Sequence, residues 1–180
     1  MGAVVNNSVF FANGGSNTGV LINNATTSAL TSVAITNSDF TSAGGNDNFF
    51  RTTLAGPAQI NLTSNQVQFN ATGGTAFRMA LASSSNVTIA KNNILDSTDG
   101  ATGILFDTIT GPGSVRIEDN LIDFASNGGL LDRGIIFSSV TNTIQLSGDF
   151  DNRIFGTDTP FFIPYGTSTG SIFVNGVRQP

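Results

Sequence analysis

Val87-Thr88-Ile89-Ala90-Lys91-Asn92-Asn93-Ile94 is the stretch on which the fold turns. Its apolar residues alternate, Val87 then Ile89. Alternation marks a strand with one buried face, whereas a helix needs a period of about 3.6. The polar step at Lys91-Asn92 interrupts the strand, and Ile94 opens another apolar run. The same phrase recurs on both sides. Upstream it reads Ile60-Asn61-Leu62 with Asn65, and before that Val33-Ala34-Ile35 with Ser38. Downstream come Val115-Arg116-Ile117 with Asn120, Ile144-Gln145-Leu146 with Asp149, and Ile172-Phe173-Val174. The starts lie 27, 27, 28, 29 and 28 residues apart. A fixed period of that size is the signature of stacked supersecondary units. One more step of 28 back from Val33 reaches Val5.

The rest of each unit lines up on the same frame. Seven residues after the start stand Phe40, Val67, Ile94 and Ile122; seventeen after it stand Ile22, Phe50, Phe77, Ile104 and Phe161. Between these two runs lies a glycine turn, as at Gly44-Gly45, Gly73-Gly74 and Asp99-Gly100. A second breaker follows the later run, as at Gly56-Pro57 and Gly111-Pro112-Gly113. Glycine supplies unusual φ values and proline fixes one, so both punctuate turns. Each unit reads strand, Asn turn, strand, Gly turn, strand, Gly/Ser/Pro turn. A single unit cannot bury its own apolar face, so the units must stack, each strand pairing in parallel with its equivalent one coil on. The expected fold is all-β: a parallel β-helix of about six coils, 27–29 residues each, forming one domain over residues 1–180. The bias of parallel crossovers makes it right-handed. The recurring Phe40, Phe50, Phe77 and Phe161 read as stacked interior rings.

Asn65, Asn92 and Asn120 fall at one step of successive coils, with Ser38 and Asp149 at the same step on either side. Asn tolerates the left-handed backbone of a sharp turn, and its amide can bond the amide one coil away. These residues are read as a structural ladder. Their pattern resembles the right-handed parallel β-helix superfamily, which includes pectate-lyase-like enzymes, autotransporter passenger domains and phage tailspikes. The resemblance spans Val5 to Val174 and implies the fold. Stacked Asn turns serve members of every function, so it implies no single activity.

The superfamily's enzymes can be checked against this chain. Polygalacturonase-type hydrolases carry an Asp triplet, a Gly-His-Gly and an Arg-x-Lys; this chain has no His and no Asp-Asp pair. Pectate lyases use clustered acids for calcium and an arginine base. The nearest collection here is Glu118, Asp119, Asp123, Asp149 and Asp151, with Arg116 close in sequence. Asp119 falls beside Lys91 one coil back, which suggests a surface ion pair. Gly44-Gly45-Asn46-Asp47 has a faint likeness to a calcium-binding nonapeptide, but it stands in one copy and reads as a polar turn. No metal and no cofactor is expected.

Composition narrows the partners. Twelve Asp and Glu against seven Lys and Arg give −5, which disfavours nucleic acid and anionic membrane surfaces. No run is apolar for long enough to span a bilayer. With no Cys there is no disulfide framework. A Cys-free chain rich in Asn, Ser, Thr and Gly suits a bacterial exported protein. Met1-Gly2-Ala3-Val4-Val5-Asn6 has neither the basic region nor the apolar run of a signal peptide. More protein is expected to adjoin at least one coil end. Fifteen Phe against one Tyr and no Trp argue against an aromatic sugar platform.

Two coils break the frame. In the coil starting at Val115 the later strand slips by three, to Ile135 and Phe137, and the extra residues fall between Ser126 and Arg133. In the next, Asp151 stands where an aliphatic is due, and Phe150-Asp151-Asn152-Arg153 reads as an insertion. Insertions in repeat proteins map to loops that form binding faces. Asp132, Arg133, Asp151 and Arg153 are therefore the candidate binding residues, expected exposed and on one side. The function read from the sequence is a non-catalytic β-helical segment of a secreted or surface protein, an autotransporter-passenger or adhesin-like stalk. Its expected partner is a glycan or a host-surface protein. The alternatives are a polysaccharide lyase or hydrolase, and a tail-fibre segment that binds polysaccharide.

Overall fold

The computed structural model describes residues 1–124, 132–147, 152–162, 172–174 and 177–178. Every regular element among them is a strand. The first coil is β1 (Gly2–Asn6), β2 (Val9–Ala12) and β3 (Thr18–Asn24). The second is β4 (Thr31–Thr36), β5 (Asp39–Ser42) and β6 (Asp47–Leu54); the third is β7 (Ala58–Thr63), β8 (Gln66–Phe69) and β9 (Gly74–Leu81). The fourth is β10 (Ser85–Ala90), β11 (Asn93–Asp96) and β12 (Ala101–Ile109). The fifth is β13 (Gly113–Glu118), β14 (Leu121–Asp123) and β15 (Arg133–Phe137). Then come β16 (Ile144–Ser147), β17 (Arg153–Phe155) and β18 (Thr159–Phe162), and last β19 (Ile172–Val174) and β20 (Val177–Arg178).

Equivalent strands pair in parallel and build three sheets. Sheet A runs β1-β4-β7-β10-β13-β16-β19-β20, sheet B holds β2 to β17, and sheet C holds β3 to β18. The chain is a parallel β-solenoid making five turns from β1 to β16. At about 4.8 Å per coil it stands roughly 30 Å tall. Among the described residues the one antiparallel pair is β19 with β20, at the far edge of sheet A.

Alternation decides which residues enter the column. In β10, Val87 and Ile89 are buried while Asn86 points out. Interior columns then run through the stack: Val33, Ile60, Val87 and Val115 in sheet A, and Phe40, Val67, Ile94 and Ile122 in sheet B. Phe49 is the centre of an aromatic cluster, with ring centroids 5.4 Å from Phe40, 5.8 Å from Phe10 and 5.9 Å from Phe77. Phe106 and Phe137 stack at 4.6 Å with nearly parallel ring planes. Where sheet B crowds sheet C the chain uses glycine. A Cβ on Gly103 would lie 2.9 Å from Ile122 Cδ1 and 2.8 Å from the Gly134 carbonyl oxygen.

The register departs from the sequence frame at the ends. Ala3, not Val5, pairs with Val33. Val115 pairs with Leu146, not Ile144. Val20, not Ile22, precedes Phe50 in its column. The first and fifth coils are therefore longer than the even frame allows, with steps of 30 and 31 residues.

Candidate functional site

The corner between sheets A and B is built from a two-residue device. A residue in the left-handed region comes first: Asn7, Asn37, Ser64, Lys91 and Asp119 have φ between 48° and 58°. The ladder residue follows it. The left-handed turn thus lies one step before the ladder Asn, where even a lysine takes it, and the ladder Asn is selected for its side chain. Asn92 is buried; its Oδ1 accepts the Asn65 N–H and Nδ2–H, each at 3.0 Å. Its own Nδ2 donates to Asn120 Oδ1 and to the Leu62 carbonyl, both at 2.9 Å. Ser38 begins the series by giving its N–H to Asn65 Oδ1. At the other end the position predicted for Asp149 belongs to Asn152, whose Oδ1 accepts Asn120 Nδ2–H at 2.7 Å and N–H at 3.1 Å. The additional residues before Asn152 move the ladder position by three, and Ile154 then takes the interior place beside Ile122. Asp149 itself lies outside the described residues.

The corner between sheets B and C repeats the device with carboxylates. Ser16, Asn46, Gly73 and Gly100 have positive φ. The residues after them, Asn17, Asp47, Gly74 and Ala101, share one register step with Asp132. Asp47 is fully buried; its Oδ1 accepts the Asn17 N–H at 2.6 Å, and its Oδ2 the Ser42 hydroxyl at 2.6 Å. Asp132 is also fully buried, and its Oδ1 accepts the N–H groups of Gly100 at 2.7 Å and Ala101 at 2.9 Å. Asp132 was expected as an exposed binding residue; instead it clamps two backbone amides of the coil before it. Asp96 lies close by and is buried. Burial pushes its carboxyl up to about 6, two hydrogen bonds from Thr98 pull it partly back, and the charge of Asp132 raises it further.

Of the other predicted binding residues, Arg133 and Arg153 are exposed. They belong to different sheets, Arg133 opening β15 in sheet C and Arg153 opening β17 in sheet B. Asp151 and most of both insertions lie outside the described residues. The flanking strands show where the insertions depart: one between β14 and β15, the other between β16 and β17.

The acidic collection of the sequence is divided among surfaces. Glu118 ends β13 in sheet A and pairs with Arg116 at 2.8 Å, Asp119 occupies the corner, and Asp123 is on sheet B. Asp119 and Lys91 share a register step; charged contacts among the described residues include Arg116–Glu118 and Arg78–Asp107. Among the described residues no three acidic side chains are grouped so as to hold a metal.

Sequence reasoning missed a groove on sheet C. An open groove of about 580 Å³ runs up the outer face of sheet C, beside the turn back to sheet A. Asn23, Thr53, Ala80 and Thr108 supply its wall, one from each of four successive coils. Small outward side chains leave this space open. A bulge between Phe106 and Thr108 displaces Asp107, which meets Arg78 in a two-pronged pair at 2.7 and 3.2 Å. The only trace of the groove in the sequence is that these outward residues are short.

Comparison with protein-family models, with characterised proteins and with solved structures finds no match.

Proposed function

We propose that this chain is a non-catalytic β-helical segment of a bacterial secreted or cell-surface protein, of the autotransporter-passenger or adhesin kind. It forms a rigid column and presents one side to a glycan or a host-surface protein. The observation that carries this reading is the pinning of the turns. From Ser38 to Asn152 the corner between sheets A and B is tied, coil to coil, by side-chain amides, those of Asn65, Asn92 and Asn120 buried. Such a column resists bending at its coil boundaries, as a spacer or stalk must. The sheet C groove is the part of its surface suited to a ligand. It crosses four coils, about 14 Å of height, and offers amide and hydroxyl groups over small apolar side chains. That mixture fits a sugar chain, whose faces are apolar and whose edges are polar. The low charge and the richness in Asn, Ser, Thr and Gly support export.

The test is a screen of the intact chain against immobilised neutral and acidic glycans, beside an Ala80→Arg variant that fills the groove. The expected result is binding lost in the variant with the melting temperature unchanged. Release of unsaturated or reducing ends from pectin or alginate, with or without calcium, would overturn the reading if Asp119→Asn or Asp123→Asn abolished it. The lyase or hydrolase alternative would then stand.

A further inference from the structure

The outer face of sheet B carries polar side chains that the fold leaves unused. Asp39, Gln66 and Asn93 share one register step on successive coils, and Thr41, Gln68 and Leu95 share the next outward step. Together they rim a depression of about 130 Å³ over Phe40 and Val67. In other columns such neighbours bond one another. Thr36 Oγ1 donates to Asn6 Oδ1, and Asn23 Oδ1 accepts the Thr53 N–H. Among the described residues the side chains of Asp39, Gln66 and Asn93 make no such bond, and Asp39 forms no ion pair.

Asn93 is the clearest of these. Its Oδ1 is enclosed and accepts from no donor among the described residues, whereas buried acceptors are nearly always hydrogen-bonded. Turning the carboxamide about Cβ–Cγ carries this oxygen toward the depression that Asn93 lines. Gln66 can present a second amide oxygen and Asp39 a carboxylate. The column then offers an acceptor from each of three strands about 4.8 Å apart.

We propose that this depression is a subsite for a lysine side chain of a partner protein. Its size, its charge and its acceptors each select that group. The volume is well below the roughly 300 Å³ of pockets that take whole small molecules, so it suits the end of one side chain. Asp39 is the charged residue in its lining and favours a cation, and the −5 of the chain draws cationic partners. A primary ammonium brings three N–H donors and no acceptor, whereas a guanidinium brings five held in one plane. Three acceptors match the ammonium. Seated over Gln66, it ion-pairs with Asp39 and donates to Gln66 Oε1 and Asn93 Oδ1. Half-buried Leu95 supports the methylene stem behind it, which an amino sugar lacks. The depression and the sheet C groove are on different sheets, so either reading stands if the other fails.

The test is an NMR titration of the isotope-labelled intact chain with Nα-acetyl-lysine methylamide. The side-chain amide signals of Asn93 and Gln66, assigned by single substitution, should shift and saturate with a Kd on the order of 1 mM. The Nε-acetylated analogue keeps the stem and loses the charge, and should give no saturable shift. Glucosamine, which carries the ammonium on a ring, should bind more weakly than the lysine analogue. Asp39→Asn keeps the shape of an exposed residue, so the melting temperature should hold while the lysine analogue binds weaker by on the order of tenfold. Asp99→Asn removes an exposed carboxylate at the corner between sheets B and C and should leave binding as in the parent. No saturable shift with the lysine analogue, an equal response to its acetylated form, tighter binding of glucosamine, full binding by Asp39→Asn, or an equal loss in Asp99→Asn would each overturn the proposal.

Discussion

Replacing Asn92 with Leu probes the ladder at its most buried rung. Leucine has the same number and branching of side-chain heavy atoms as asparagine, so the loss is polar rather than a cavity. Four side-chain hydrogen bonds disappear: two accepted from Asn65 and two donated, to Leu62 and Asn120. Two of the partners keep a second bond. Asn65 Nδ2 still reaches the Ile35 carbonyl, and Asn120 Oδ1 still accepts the Asn92 N–H. The buried Asn65 N–H loses its acceptor, which costs about 1–3 kcal/mol. The remaining lost bonds add about 0.5–1.5 kcal/mol each at most, and the gain from burying leucine offsets part of this. The expected destabilisation is about 3 kcal/mol. In a chain of this length it lowers the melting temperature by about 6–12 °C. Thermal melts followed by circular dichroism measure it, with Asn61→Leu as control, since Asn61 is exposed on sheet A and should change stability by less than about 0.5 kcal/mol. The Asn65→Leu/Asn92→Leu double variant should cost less than the sum of the singles, because the orphaned partners belong to one network. A shift for Asn92→Leu no larger than for Asn61→Leu would refute the reasoning.

Asp132→Ala releases two backbone amides and should cost about 2–4 kcal/mol in a denaturant titration. Were Asp132 a surface binding residue, stability would not change. The pH dependence follows from Asp96. Its folded-state carboxyl is raised to about 6, so the folded chain holds a proton there that the unfolded chain has lost. The corresponding stability is fully present below about pH 4 and is lost as pH rises through about 6, amounting to about 1–2 kcal/mol once solvent screening is allowed for. Asp96→Asn should flatten that slope in melts between pH 4 and 7, and an unchanged slope would reject the assignment. Gly103→Ala places a Cβ against Ile122 and the Gly134 carbonyl and should destabilise by about 1–3 kcal/mol, read from the same melts.

The parts of this fold that were legible in the sequence are those that period two and glycine punctuation specify. The columns through Val87 and Ile94, and the Asn65–Asn92–Asn120 ladder, follow from spacing alone. The register errors share one form. Val5 was taken for Ala3, Ile144 for Leu146 and Ile22 for Val20, each two residues away. A slip of one turns every side chain to the wrong face, but a slip of two preserves all faces. Hydrophobic pattern cannot see it, and only the corner residues fix it. The carboxylate corner escaped notice because Gly74 and Ala101 interrupt the series between Asp47 and Asp132. A lone Asp in a polar segment looks like a surface residue. The sheet C groove is set by a bulge and by absent bulk, neither of which leaves a motif.

The stacking has a mechanical corollary. From β1 to β18 each strand pairs with its equivalents in the coils immediately before and after, and the chain passes from coil to coil by one covalent crossover. Force applied across the two termini would therefore peel coils from the ends in sequence, not shear the whole column at once. Every coil released frees some 27–31 residues, close to 100 Å of extended chain. A stretched molecule would thus lengthen in near-equal increments. The rungs at Asn65, Asn92 and Asn120 would set the height of each force peak, and the tether would absorb work stepwise while its inner coils kept their shape.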